Sequence, residues 1–361
     1  MNKVNNKVQN LFKPILFYTG NPSDNQLLKS LIEGESPAIV DEFDKQLAEH
    51  FMINNLELLN NKIDYEKKFN QFVKECADKQ YGLWVFYPWK NVLVHTLEEK
   101  EFVELRTNRN KYKITDEEQQ ILSTKVIGIV GLSVGREIAI TAALERICGE
   151  IRLADFDIIE LANLNRLKVG IDELGVPKVI SAARQISEID PFIKVKVFAD
   201  GLTQENMDEF FDDGVKIDLF FEESDGFDIK VLSRYKARNY KIPVVMETND
   251  RGMLDIERFD VENFRPLFHG FVTDEELSNL TKLSGPEQLK ILQKIVSFQN
   301  VSDKMKHSFT ELGKSIKSWP QLGSDISFGA GMATGTGRMI LLGEKVNSGR
   351  YYIEYSDKIV S

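Results

Sequence analysis

The sequence predicts an α/β chain: a doubly wound, mostly parallel sheet with antiparallel strands on its C-terminal side, preceded by a small α+β N-terminal domain. Three observations carry this. From about Ile114, apolar strand-like runs alternate with helix-like stretches, the order that builds parallel βαβ units with right-handed crossovers. KVIGIV, residues 125–130, is apolar throughout, as a strand covered on both faces must be. It runs into GLSVGRE, Gly131–Glu137, a glycine-containing turn ahead of a helix.

The elements follow in order. In the first part, Ile39, Phe43, Leu47 and Phe51 recur every fourth residue and predict an amphipathic helix over 38–54. Tyr65, Phe69, Phe72, Val73 and Cys76 mark a second helix. GLWVFYPW and NVLVHTL read as two strands joined around Pro88–Lys90. TDEEQQIL is a short helix in which Thr115 and Glu118 form a capping box. Then come strand 125–130, helix 136–147, strand 151–155, helix 178–189, strand 194–198, helix 203–212, strand 217–222, helix 227–240 and strand 242–247. LDIERFD reads as an antiparallel strand, and 272–317 as polar helices and loops. The small-residue segment 324–343 is a closely packed helix or a broken one. This places an N-terminal domain at 1–105, of unknown role, and the main domain at 106–361.

Composition narrows the function. The chain has 361 residues, net charge −10 and pI about 5.2, which argues against a general nucleic-acid binder. Its two cysteines, Cys76 and Cys148, form no CxxC pair, so no zinc site is expected, and their number suits a reducing cytoplasm. MNKVNNKVQNLFKPILFY has no clean apolar run and reads as no signal peptide. No stretch approaches the roughly 20 apolar residues that span a bilayer.

The chemistry gathers around two segments. Gly131, Ser133 and Gly135 form a turn whose free N–H groups, with the following helix dipole, suit a phosphate in a Rossmann-like site; Arg136 would add charge at its mouth. The loop is not GxGxxG, since Ser133 and Arg136 stand where glycines would, and a tight turn without ligand also fits. IRLADFDIIELANLNR, 151–166, ends a strand in Asp155 and Asp157 and then delivers Asn163, Asn165 and Arg166. A carboxylate at Asp155 can hold ribose hydroxyls, which fits NAD as well as ATP. Asp157 could equally cap the next turn. Lys230 and Arg234 read as a solvated face, and His269 as structural.

Together these motifs resemble the ThiF/MoeB/ubiquitin-activating (E1-like) superfamily over about 106–343. The resemblance rests on Asp155-Phe156-Asp157, Asn163-Leu164-Asn165-Arg166, Gly175-Val176-Pro177-Lys178, Asp225 in EESDG, and RTNR at Arg106–Arg109 in place of RY-x-R. It implies an enzyme that uses ATP and magnesium to adenylate a carboxylate, perhaps the C-terminus of a small protein or peptide. Arg166 and Lys178 would then face the phosphates, Asn163 and Asn165 orient phosphate or ribose, and Asp225 hold the magnesium ion. Arg109 would reach the partner's site in a homodimer. No nucleic acid or membrane partner is implied.

Residues 248–318 lack the cysteine that some relatives use for a thioester. Asn249, Asp250 and Arg251 are expected where substrate lies. The arrangement also resembles a bacterial ThiF-domain subgroup, some members of which carry a nitroreductase-like flavin domain; the chain after Gly343 is too short for one. A non-catalytic nucleotide-binding scaffold and an NAD(P)-dependent oxidoreductase are the competing readings.

Overall fold

The computed structural model describes residues 11–278 and 285–354. Residues 1–10, on which the reading of the N-terminus partly rests, 279–284, within the predicted polar segment, and 355–361 lie outside them. The chain divides into two compact units, 1–119 with 187–192, and 120–186 with 193–361. The division therefore falls after Gln119, beyond the boundary expected at 105. Side-chain contacts explain the difference. Arg106 forms a 2.9 Å ion pair with buried Asp190, and the Phe102 ring meets Phe192 edge-on at 5.3 Å, so the helix carrying both belongs to the first unit.

In the first unit the elements are β1 (Ile15–Tyr18), α1 (Pro22–Glu35), β2 (Ala38–Asp41), α2 (Phe43–Ile53), α3 (Lys62–Asp78), β3 (Leu83–Tyr87), β4 (Val92–Thr96) and α4 (Glu99–Thr107). The sheet order is β1-β3-β4-β2; β2 runs parallel to β4 and the other pairs are antiparallel. The helix expected over 38–54 is shorter. Ile39 and Val40 are β-branched and pair with Leu93 and Val94, and Asp41 then accepts the Phe43 N–H at the start of α2. The next helix, α5 (Asp116–Ser123), has the expected box: Thr115 N–H donates to Glu118 (2.8 Å) and Glu118 N–H donates to Thr115 Oγ1 (3.2 Å).

The second unit continues with β5 (Val126–Val130), α6 (Gly135–Glu145), β6 (Glu150–Ala154), α7 (Lys178–Ile189), β7 (Lys194–Phe198), α8 (Met207–Phe211), β8 (Leu219–Glu222), α9 (Phe227–Tyr240) and β9 (Val244–Thr248). After these come β10 (Met253–Glu257), α10 (Asp274–Ser278), α11 (Gly285–Ile295), α12 (Asp303–Glu311), α13 (Gly323–Leu341) and β11 (Gly349–Tyr352). The sheet order is β7-β6-β5-β8-β9-β10-β11, parallel from β7 to β9 and antiparallel beyond. The strand order reverses between β5 and β8. That switch point opens a crevice at the strand C-termini, where doubly wound sheets bind ligands.

The small-residue segment is one continuous helix, α13. Gly337 lies where a Cβ would sit 2.7 Å from the Phe221 ring and 2.8 Å from Leu219, so glycine sets how closely the helix meets the sheet. Its buried face, with Gly329, Ala330 and Ala333, is an internal contact of this unit.

Lys230 and Arg234 are not a solvated face. Four residues apart on α9, they turn toward the sheet and are buried, because Glu222 on β8 and Glu257 on β10 are acids inside the core. Lys230 Nζ lies 2.8 Å from Glu222; Arg234 pairs with Glu222 and, at 2.8 Å, with Glu257. Further along, His269 Nε2 sits 3.0 Å from Asp255, with Arg265 on its other nitrogen, the structural role expected for it.

Candidate functional site

The glycine loop leaves β5 at the switch point. Gly131 has φ +82°, a left-handed conformation, and a Cβ there would collide with the Glu223 carbonyl. Gly135 opens α6, where a Cβ would meet Ile129 at 2.7 Å. Two glycines four apart thus suffice for the turn that the sequence forms without GxGxxG.

Asp155, just past β6, is buried and grips this loop. It accepts the Leu132 N–H at 2.5 Å and the Asp157 N–H at 2.7 Å. Burial pushes its carboxyl above the usual range, against the pull of the Leu132 hydrogen bond and of Lys178. Lys178 begins α7, buried, with Nζ 2.7 Å from Asp157. Its own N–H donates to the Asp157 carbonyl at 2.9 Å, so the two chain segments are clamped at that point.

Arg166 is joined to the loop itself. Its Nε and one terminal nitrogen donate to Ser133 Oγ at 3.0 and 2.9 Å, and the other donates to Asn165 Oδ1 at 2.9 Å. Burial lowers its pKa from the usual value, and the charge of Asp225, beyond β8, opposes that shift. Asp225 is exposed. The segment before α13 closes one side: Asn165 Nδ2 donates to the Gln321 carbonyl at 2.7 Å, and Ser133 Oγ donates to the Gln321 side chain at 3.3 Å.

Three expected residues are elsewhere. Arg136 does not stand at the mouth of the loop; it is buried and donates to Ser181 (3.0 Å) and Gln185 (2.7 Å) on α7. Helical spacing explains this: it sits in the first turn of α6, on the face covered by α7. Asn163 is buried and accepts the Glu160 N–H at 2.9 Å, shaping the turn. Arg109 is exposed in the short 3-10 turn Asn108–Asn110 of the first unit.

The structure adds residues that the motifs did not single out. Gln321 holds Ser133 and Asn165. Glu223 and Glu247 are two buried carboxyls on one face of the sheet. Glu223 accepts the Glu247 N–H at 2.9 Å, while neither carboxyl oxygen of Glu247 has a partner among the described residues. Burial and the facing carboxylate drive Glu223 well above the usual range. Burial and Asp325 push Glu247 up to about 8. The only signal in the sequence was an acid in each of two otherwise apolar strand ends, FFEES and VVMET. Both help to line a cavity of about 200 Å³, together with Val134, Asp225, Asn249, Asp250 and a group of apolar side chains. Arg251 points away, pairing with Glu354. Among the described residues no helix is long and apolar enough to cross a membrane.

Comparison with known proteins agrees with this geometry. The ThiF family model matches residues 106–254. An uncharacterized Mycobacterium tuberculosis protein is 42% identical over 273 residues, 76% of this chain and 38% of that protein. Ubiquitin-like modifier-activating enzyme 5 of Drosophila melanogaster is 34% identical over 118 residues, 30% of this chain and 29% of that protein. The chain thus spans well under half the length of these relatives. The Escherichia coli tRNA N6-threonylcarbamoyladenosine dehydratase, crystallised with AMP, matches in fold with TM-score 0.50 at 16% identity, covering 68% of this chain and 98% of that one. Loop, strand order and sequence match agree, and residues 106–254 of this chain match the ThiF family model.

Proposed function

We propose that the protein uses ATP to adenylate a carboxylate, such as the C-terminus of a peptide or small protein. One observation carries the reading: Arg166 donates twice to Ser133 of the glycine loop, and Asp225 beyond β8 acts on its charge, so a planar cation and a carboxylate serve the crevice at which a helix N-terminus opens. A dinucleotide dehydrogenase has no use for that pair. The carboxylate oxygen would bond to the α-phosphorus as the bond to pyrophosphate breaks. Arg166 and Lys178 would balance charge on the phosphates, and Asp155 would hold the loop and the ribose.

Asp225 is the residue to hold magnesium. An exposed single carboxylate fits that ion, which takes one or two carboxylates and otherwise phosphate oxygens and water. The ion would neutralise phosphate charge. Exposed Arg109 suits a reach into a second copy, making the working form a homodimer. Cys148 is fully buried, and burial raises the Cys76 thiol, so the acyl group would pass to an external nucleophile. Two free cysteines suit a cytoplasmic protein. A nucleotide-binding scaffold is the second reading, favoured by Lys178 already being paired with Asp157.

The test is ATP–pyrophosphate exchange with magnesium and candidate peptides. Arg166→Ala and Asp225→Ala should each lower exchange by about 10²–10³-fold with the circular dichroism spectrum unchanged. Full exchange in Arg166→Ala would sink the assignment.

A further inference from the structure

The cavity beside Asp225 has two unlike ends. One touches the nucleotide side through Val134 of the glycine turn, Asp225 and Gln321, the residue bonded to Ser133. The other is walled by Met253, Ile295, Val296, Met305, Phe309 and Trp319. Phe309 and Trp319 are 4.3 Å apart at their centroids, and Phe298 meets Phe309 edge-on at 4.9 Å, so the wall is a packed aromatic cluster. Asn249 also lines the cavity, and its Oδ1 is buried without a hydrogen-bond donor among the described residues. Asp250 ties the wall in place by accepting from the Ser302 N–H (2.7 Å) and Oγ (2.5 Å) at the start of α12.

Size and chemistry together limit what can sit there. An apolar cavity of about 150 Å³ accepts a benzene ring; this one is about 200 Å³. A glycine terminus would leave it unfilled. A buried acceptor left without a donor is unfavourable, a penalty that a ligand N–H removes. We propose that this cavity selects the substrate: a carboxylate of the α-amino-acid type with a large apolar side chain, whose nitrogen donates to Asn249 Oδ1 while its carboxylate lies at the Asp225 end. This rests on the adenylation reading for the fate of the carboxylate, but not for binding.

The experiment measures binding and exchange separately. Binding of N-acetyl-phenylalanine, N-acetyl-glycine, free phenylalanine and 3-phenylpropionate is followed by calorimetry with a non-hydrolysable ATP analogue and magnesium. N-acetyl-phenylalanine should bind at least about tenfold more tightly than N-acetyl-glycine. Val296→Trp, or the milder Val301→Phe at another residue that lines the cavity, should erase that preference while ATP-analogue binding persists. Asn249→Ala should shrink the advantage of N-acetyl-phenylalanine over 3-phenylpropionate, which lacks the nitrogen. Free phenylalanine binding as well as the acetylated form would identify a free amino acid as the source; binding only of the acetylated form would identify a chain terminus. Equal or better binding of N-acetyl-glycine, or no binding of any of the four, overturns the proposal. Selective binding without exchange leaves the pocket standing and overturns the adenylation reading instead.

Discussion

Glu222 and Glu223 are neighbours in sequence, both buried at the end of β8, and they behave oppositely. Strand alternation sends them to opposite faces of the sheet. Burial alone would raise Glu222, but Lys230 and Arg234 overcome it and hold the carboxyl down at about 2. Glu223 meets Glu247 instead, and rises well above the usual range. One face is thus an ion-pair core with its charges matched. The other, beneath the N-termini of α6 and α13, holds acids in excess of cations. The lesson is that burial does not decide the state of an acid here; the face its residue number selects does.

The most damaging way to break this contrast is to remove the matched cation. Arg234→Met leaves Glu222 and Glu257 buried with half their compensation, and should cost about 3–5 kcal/mol of unfolding free energy in urea. A combined Glu222→Leu, Arg234→Met, Glu257→Leu variant should recover most of that loss, since it leaves no uncompensated charge. If the single variant costs nothing, the network is not the anchor of this face.

The unmatched face makes a prediction about pH. Glu247 has a folded-state pKa of about 8, above the ordinary 4.5, so between those values the folded protein binds more protons than the unfolded chain. Its contribution is therefore complete below about pH 4.5 and is lost as pH rises through about 8. Glu247→Gln keeps the neutral shape. It should match the parent at pH 4 and exceed it at pH 8.5 by an amount on the order of a few kcal/mol. Glu222 has the opposite sign: its stabilisation is present above about pH 4.5 and disappears as pH falls toward 2. Identical pH profiles for parent and Glu247→Gln would show that the second carboxyl is not strained.

This contrast also marks what could be read in the sequence. The parallel strands and their helices were legible because β5 is wholly apolar and α9 begins and ends where its pattern says, at Phe227 and Tyr240. Ser133, Asn165, Arg166, Asp155, Asp157 and Lys178 were legible as a set through motif order, and the structure assembles them in two linked groups. Lys230 and Arg234 were misread because helical spacing places them on one face without saying which way it turns. Strand β2 was hidden because Ile39 continues the helical period of Phe43 and Leu47. Gln321 was out of reach: its contact with Ser133 spans 188 residues and no local pattern encodes it.

Gly329 offers the finest test, because it touches only the unmatched face. It lies on α13 against the Glu247 carboxyl, where a Cβ would collide with the side-chain oxygens. Gly329→Ala should therefore cost about 1–3 kcal/mol through overpacking, despite the gain in helix propensity. In a Glu247→Ala background the obstacle is gone, and the same substitution should become neutral or stabilising by up to about 1 kcal/mol, the ordinary advantage of alanine over glycine in a helix. A reversal of sign in this double-mutant cycle would show that the glycine exists to admit a carboxylate beneath the helix. Equal cost in both backgrounds would instead place the constraint in the backbone approach of α13 to the sheet, as at Gly337, and would separate the acid pair from the packing of the helix above it.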